Sequence, residues 1–506
     1  MFTFLDTIPP DQVSFICSQL LSFIYAFIFR QILFVHFDHQ KQSNFITKNF
    51  IYFSIIIPSL IFSWLCFGNQ IFHLILLSLT CYIILHIFDH KWIHLVTFFL
   101  AMFYLSIIHI NRLVYGNFAG TYQMDISAPL MILVQKITLI AFSLHDGWLI
   151  DQTNHHHHHT INNERKKYSI RQKPSFLQYC SYVFDFQTIL CGPLIFYNDY
   201  HDYLNGNIIK KFGLRHFPPV AKTIWKSLLT CSICALLTIK IVPLFPISYL
   251  QDEDFFNKNL AYKILIIYIV TTCARIKYYF AWKLSESICN VSGLGFTGLT
   301  GTDNQPVYDL AINIRIFDFE MALSQHDALQ AWNISTVKWL RAAAHIRMPK
   351  RYRAMATFAL SAVWHGFYPG YYLTFATACL FMAVSKTIRK SVRYRFLHSK
   401  YLLNGYHCLT WIITRLMLAY LAFPFILLTL NDSIRVYQSI YWFGHILAIL
   451  AWSIVLLILT PEPKNHEQEK PIQQTTNGYV DETTKITKNN NQRKKNGFIN
   501  DHHHEE

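Results

Sequence analysis

The sequence predicts an all-α fold, a polytopic bundle of about ten to twelve membrane segments, some of them broken or re-entrant. Three observations lead there. Hydrophobic residues fill 53% of the 506 positions and charged residues only 14%, where soluble domains carry about 25% charged. Apolar windows suited to membrane helices recur at 13–35, 50–67, 70–88, 93–110, 227–249, 260–280, 371–385, 408–430 and 437–460, set against the ~20 residues that a spanning helix needs. The formal charge of +15 is gathered into a few loops instead of being spread over helix faces.

Taken in order, "MFTFLDTIPPDQ" carries Asp6 and Asp11 but no basic residue before the first apolar run. It lacks the basic leader of a cleavable signal, so that run is expected to remain as the first span. Lys41 and Lys48 follow it. Basic loops favour the cytosolic side, which puts the N-terminus in the lumen. Four further basic loops punctuate the chain: net +4 at 163–173, net +5 at 210–226, and six basic residues with no acid in each of 338–353 and 386–400. Keeping 163–173 cytosolic requires 127–144 to cross the bilayer. Keeping 210–226 there requires that 176–196 not cross completely. Spans near 227–249 and 260–280 then return the chain.

The stretch "NVSGLGFTGLTGTDNQPVYDLAIN" is rich in Gly, Asn and Asp and reads as a looped excursion. After it, "SQHDALQAWNISTVKWLRAAAHIR" reads as an amphipathic helix with Trp332 and Trp339 seven apart on one face. The polar residues 461–506 are expected to form a disordered tail behind one domain, 1–460. His155 to His159 read as low-complexity filler, with a metal role as the alternative. The 11 cysteines are scattered. Cys231 and Cys234 form a lone CxxC and read as small hydrophobes.

Between the last two basic loops lie 32 residues, 354–385, where two crossings need about 40. The segment "LSAVWHGFYPGYYLTF" (360–375) breaks on Gly366, Pro369 and Gly370, so a helix pair interrupted at mid-membrane is expected. Non-helical backbone at that depth survives only where protein or a water-filled cavity surrounds it. His365 should therefore face a protein-lined cavity. A neutral imidazole there can take a proton, an effect of about 10²–10⁴-fold in catalysis; the alternative is a ring bonded to a carbonyl. Asn333 reads either as a helix N-cap or as an amide that polarises an acyl carbonyl or orients an acceptor.

Asp125, Lys136 and Asp146 interrupt "MDISAPLMILVQKITLIAFSLHDG". Charges at membrane depth cost at least ~2.5–3.5 kcal/mol each and often mark functional interiors. A buried Asp125–Lys136 ion pair, or placement at the membrane edge, is the alternative reading. The basic stretches around His365, with Lys338 and Arg341 in the first, read first as topology determinants and anionic lipid contacts; the sharper reading is a landing site for a polyanionic donor such as coenzyme A. No GxSxG, HExxH or Walker A motif occurs, which argues against a serine nucleophile, a zinc protease and a nucleotide hydrolase. The HxxxxD pair of soluble-type glycerolipid acyltransferases is missing as well.

Three blocks, "YYFAWKLSESICNVSGLGFTG" (278–298), "WNISTVKWLRAAAHIR" (332–347) and "LSAVWHGFYPGYYLTF" (360–375), resemble the signature blocks of membrane-bound O-acyltransferases. They are most similar to the lysophospholipid branch. The blocks 124–147, 174–200 and 431–447 resemble it in order and spacing, so the likeness runs over about 10–460. The resemblance implies a helical bundle around a through-membrane cavity, with Asn333 and His365 as the catalytic pair. Trp332, Lys338, Arg341, Trp364, Tyr371 and Asp125 are the candidate substrate contacts. It also implies transfer from acyl-CoA, as co-substrate and not cofactor, to a lysophospholipid in the endoplasmic reticulum membrane. The implied partners are acyl-CoA, lysophospholipid and membrane lipids, with no nucleic acid and no metal. Residues 342–345, "AAAH", depart from the bulkier residues expected there. "ALQAW" before Asn333 lacks the FYxDWWN pattern of sterol and diacylglycerol acyltransferases. Another acceptor, or lipid transport without chemistry, is the alternative.

Overall fold

A computed structural model describes residues 9–38, 45–115, 125–154, 162–301 and 303–458. The run His155–His159 and the tail 461–506 lie outside the described residues. By its contacts the chain divides into a main body within Met1–Leu299 and Pro306–Pro461 and a second unit. The described part of that unit is 300–301 and 303–305, where Thr300 N donates to Gln305 O and Gln305 N to Thr300 Oγ1.

Long apolar runs become helices because only a helix satisfies its own backbone groups in lipid. The first five are α1 (Pro10–Asp38), α2 (Phe45–Phe67), α3 (Ile71–Ile87), α4 (Ile93–Tyr115) and α5 (Ser127–Asn154). Short pieces follow: α6 (Asn163–Tyr168), α7 (Phe176–Val183), α8 (Tyr197–Leu204) and α9 (Asn207–Lys211). Next come α10 (Ala221–Lys240), the single turn α11 (Glu253–Phe256) and α12 (Leu260–Ser292). An antiparallel pair, β1 (Phe296–Leu299) and β2 (Pro306–Tyr308), leads into α13 (Ile316–Glu320), α14 (Gln325–Ala331) and α15 (Ile334–Leu340). The last described elements are α16 (Arg353–His365), α17 (Pro369–Val392), α18 (Lys400–Leu427), α19 (Leu430–Ser439) and α20 (Phe443–Ile458).

Among the described residues, eight helical runs are long and apolar enough to cross a membrane, or nine if the pair α19–α20, bent by 66°, counts as one. The expected ten to twelve segments include broken and re-entrant ones, which three features supply or merge. The windows 50–67 and 70–88 join through Gly68–Gln70 into one 40-residue run. Helix α16 has 13 residues, about 20 Å, and so reaches only part-way through a ~30 Å hydrocarbon core. The window 437–460 is broken at Tyr441 and Trp442, both left-handed. If the 40-residue run crosses once, three spans and not four separate the loops 36–48 and 163–173. Those loops would then lie on opposite faces, against the sidedness read from charge alone.

The segment 176–196, expected not to cross completely, holds the eight-residue α7 followed by irregular chain. The expected break near 366–370 is also found, between α16 and α17. Gly370 is required there by close approach. A Cβ at that position would lie 2.0 Å from the Pro424 carbonyl oxygen, and its N–H donates to Leu428 O at 2.9 Å.

Helix α5 is the axis of the body. Its apolar window is 83% buried within the protein, against 11–44% for the other candidate spans. Large side chains such as Trp64, Phe72, Phe99 and Phe103 stand exposed on α2, α3 and α4, as lipid-facing residues do. The charged residues of α5 are each provided for. Lys136 is fully buried, donating to Tyr182 O at 2.8 Å and Thr188 Oγ1 at 2.6 Å. Asp146 is gripped by Arg165 Nε at 3.0 Å and by both terminal nitrogens of Arg347 at 2.7 and 2.8 Å. The suggested Asp125–Lys136 pair does not form. Asp125 instead pairs with Arg112 at 3.0 Å; it precedes α5, and the nine residues of rise from Ser127 to Lys136, about 13 Å, hold the two apart.

Candidate active site

Helix α15 lies beside α5 and runs parallel to it in fixed register. Gln135 donates to Thr336 Oγ1 at 3.0 Å, Trp339 donates to Thr138 Oγ1 at 3.0 Å, and Arg347 binds Asp146. All three pairs are separated by 201 positions. The register holds across a π-helical turn at Arg341–His345, where three small alanines lie. These are the residues 342–345 singled out above. Carried one residue beyond the start of α15, the same offset points Asn333 toward the level of Ile132. The indole of Trp364 donates to Met131 O at 3.1 Å. Asn333 and the end of α16 therefore share one depth along α5, to within about a helical turn, ~5 Å.

Asn333 occupies the N-cap position of α15 but does not cap it. Its backbone is left-handed, φ 45°, ψ 51°, and its side chain makes no capping bond. Asn is one of the few residues that adopt this conformation readily. The cap comes from Asn313. Its carbonyl accepts from Ile334 N at 2.9 Å, and its Oδ1 accepts from Ser335 N at 3.0 Å and Ser335 Oγ at 2.8 Å. Two orphan donors of the first turn, the Ile334 and Ser335 N–H groups, are thus satisfied by another residue, and the half-buried Asn333 amide is left for other work. This kink also corrects the expected helical face. Trp332 is extended and ends α14, so it does not share a face with Trp339. Trp339 is fully buried against Thr138, whereas Trp332 packs among Tyr278, Tyr279, Trp282 and Phe319.

His365 is the last residue of α16, directly before Gly366, whose φ of 118° turns the chain. Its ring sits in an aromatic box: edge-on to Trp364 at 4.6 Å and Phe425 at 5.0 Å, near-parallel to Phe375 at 5.3 Å, and 5.7 Å from Tyr371. The side chain is half-buried. Among the described residues neither ring nitrogen is hydrogen-bonded to protein. Packing holds the imidazole while leaving its lone pair unspent, as a proton acceptor requires.

The other predicted contacts divide into three places. Trp332, Trp364 and Tyr371 gather at the level of Asn333 and His365. Of these, Trp364 is buried with its N–H committed to Met131, so it acts on the site through packing. Lys338 lies further along α15 and Arg341 at the start of the π-helical turn that follows it, toward the basic loops. Lys338 lines a cavity of about 360 Å³ with Asn163, Glu164, Lys167, Tyr168 and Phe196. Burial lowers its ammonium below the usual lysine range, with Asp199 and Asp309 opposing the shift. Arg341 is exposed and paired with Glu164 at 2.5 Å. Asp125 belongs to neither group: its carboxylate is held by Arg112 and also accepts from Ser127 N at 3.1 Å, at the start of α5. Sequence reasoning missed Asn313, Phe375 and Phe425. No local signal marks them, since each matters through a partner distant in sequence.

The chain matches the membrane-bound O-acyltransferase family over residues 111–423, more than half of its length. It is 36% identical over 481 residues to lysophospholipid acyltransferase 6 of Drosophila melanogaster, covering 92% of this chain and 63% of that protein. The chain thus spans just under two thirds of that relative. It is 35% identical over 484 residues to membrane-bound glycerophospholipid O-acyltransferase 1 of Homo sapiens, covering 93% of each. Lysophospholipid acyltransferase of Schizosaccharomyces pombe is 30% identical over 390 residues, 73% of this chain and 72% of that protein. With a polytopic helical body, a matched region that contains both Asn333 and His365, and relatives of this identity along nearly its whole length, the chain belongs to the membrane-bound O-acyltransferase family.

Proposed function

We propose that this protein transfers a fatty acyl group from acyl-CoA to the free sn-2 hydroxyl of a lysophospholipid, as a phospholipid-remodelling enzyme of the endoplasmic reticulum membrane. The observation that carries the mechanism is the shared depth of an uncommitted amide and an uncommitted imidazole beside α5.

An alcohol is a poor nucleophile at neutral pH. His365 accepts its proton as the oxygen attacks the thioester carbonyl. The Asn333 amide donates to the developing oxyanion or holds the acceptor hydroxyl, a contribution of about 2.7–4 kcal/mol for such groups. Collapse forms the ester and expels the thiolate of coenzyme A, which takes the proton back from His365. No acyl-enzyme forms, and acyl-CoA enters as co-substrate with no separate cofactor in the scheme. Lys338 and Lys167 at the cavity, with Arg341 nearby, suit the phosphates of the donor. Each substrate is part anionic and part apolar, which fits basic loops beside a greasy interior.

The test is purified protein with labelled acyl-CoA and a panel of lysophospholipids, a sterol and diacylglycerol. The expected result is diacyl phospholipid formed together with one equivalent of free CoA thiol. Lipid movement without thiol release would support a transporter instead. Product from sterol or diacylglycerol alone would move the acceptor.

A further inference from the structure

Helix α16 stops at His365, and the Trp364 carbonyl is left where no continuing turn can reach it. Gly366 N–H donates back to Ala362 O and Val363 O, both at 3.2 Å. In a longer helix the Trp364 oxygen would accept from residue 368, yet among the described residues no backbone N–H reaches it. An orphaned carbonyl inside a membrane is costly. The acceptor is met from a different helix. His109 of α4, buried at 4% exposure, donates through Nε2–H to Trp364 O at 3.1 Å. Its ring also fills the space beneath Gly366, where a Cβ would lie 3.1 Å from His109 Cγ and Nδ1.

The other polar group of Trp364 is fixed as well, by Met131 O at 3.1 Å. One turn along α4 from His109, Arg112 binds Asp125 and Ser127 at the head of α5, at 3.0 and 2.9 Å. Helix α4 therefore ties the end of α16 to the start of α5, the helix that also sets the depth of Asn333.

We infer that His109 is a positioning residue for acyl transfer: its hydrogen bond to the Trp364 carbonyl fixes the last turn of α16 and hence the direction from which His365 meets the acceptor hydroxyl. The inference rests on the reading of His365 as the base. His109 itself touches no reacting atom.

The experiment compares His109→Leu, which removes the donor, with His109→Gln, whose amide nitrogen reaches the same position. Alongside them, His365→Ala tests the base. For each purified variant, kcat, the KM of both substrates and the thermal midpoint are measured. Misplacement of a reacting group by about 1 Å costs on the order of 10²-fold, so His109→Leu should lose roughly ten- to a hundredfold in kcat with both KM values within about twofold. His109→Gln should recover to within about threefold of the parent enzyme, although both variants lose some thermal stability. Should the Leu variant fail to accumulate, His109→Asn, whose amide falls short of the carbonyl, replaces it in the comparison. Equal kcat for the donor-bearing and donor-lacking variants, or a loss confined to KM or thermal midpoint, overturns the inference. An active His365→Ala defeats the assignment of the base; an inactive one beside an unimpaired His109→Leu defeats only this inference.

Discussion

Replacing Asn313 with Ala removes the cap of the helix that carries Asn333 without touching Asn333 itself. Asn313 is 2% exposed and Ser335 5% exposed, so the two Ser335 donors that lose Oδ1 cannot turn to bulk water. Loss of an N-cap side chain costs about 1 kcal/mol, and a second buried donor left unsatisfied adds about 1–3 kcal/mol. The sum, about 2–4 kcal/mol, should appear as a lower thermal midpoint for the detergent-solubilised protein. Asn313→Asp keeps an acceptor at the same place and sets negative charge at a helix N-terminus, so it should lose less than Asn313→Ala. The same loosening displaces the Asn333 amide, and kcat for acyl transfer should fall at least about tenfold in the Ala variant. An Asn313→Ala protein with parental midpoint and parental kcat would refute the claim that Asn313 frees and positions Asn333.

Gly370→Ala drives a Cβ against the Pro424 carbonyl, a backbone group with no free rotation to yield, so folded protein should be lost in size-exclusion profiles. Gly405→Ala on α18 meets nothing within 4 Å and should be neutral or stabilising by up to about 1 kcal/mol. Asp146→Asn leaves Arg165 and Arg347 without their shared counter-charge. Breaking a buried pair costs about 3–5 kcal/mol, so its thermal midpoint should fall well below the parent's. Arg341 and Glu164 form a surface pair worth about 0–1 kcal/mol to stability. Arg341→Ala should therefore raise the KM of acyl-CoA severalfold in steady-state assays while leaving kcat and midpoint near parental values.

The parts of the architecture that were legible in the sequence are those set by composition and by breakers. Apolar windows found their helices, and Gly366, Pro369 and Gly370 marked the interruption that ends α16 at His365. Helical periodicity misled at Trp332 and Trp339, because it assumes a continuous helix and Asn333 breaks it with a left-handed residue. The Asp125–Lys136 pair was inferred from charge sign alone and fails on helical rise. The relation that aligns Asn333 with His365 could not be read at all, since it depends on α5 and α15 meeting in register across 201 positions. His109 looked like one more histidine in an apolar run until the end of α16 was seen resting on it.

Turnover by purified His365→Ala, read as CoA thiol release with acyl-CoA and lysophospholipid saturating, decides whether this imidazole is the base. With the imidazole gone, the rate should drop by about 10²–10⁴-fold while acyl-CoA still binds with parental affinity. A variant that binds the donor and still transfers at a rate close to the parent's would contradict the account.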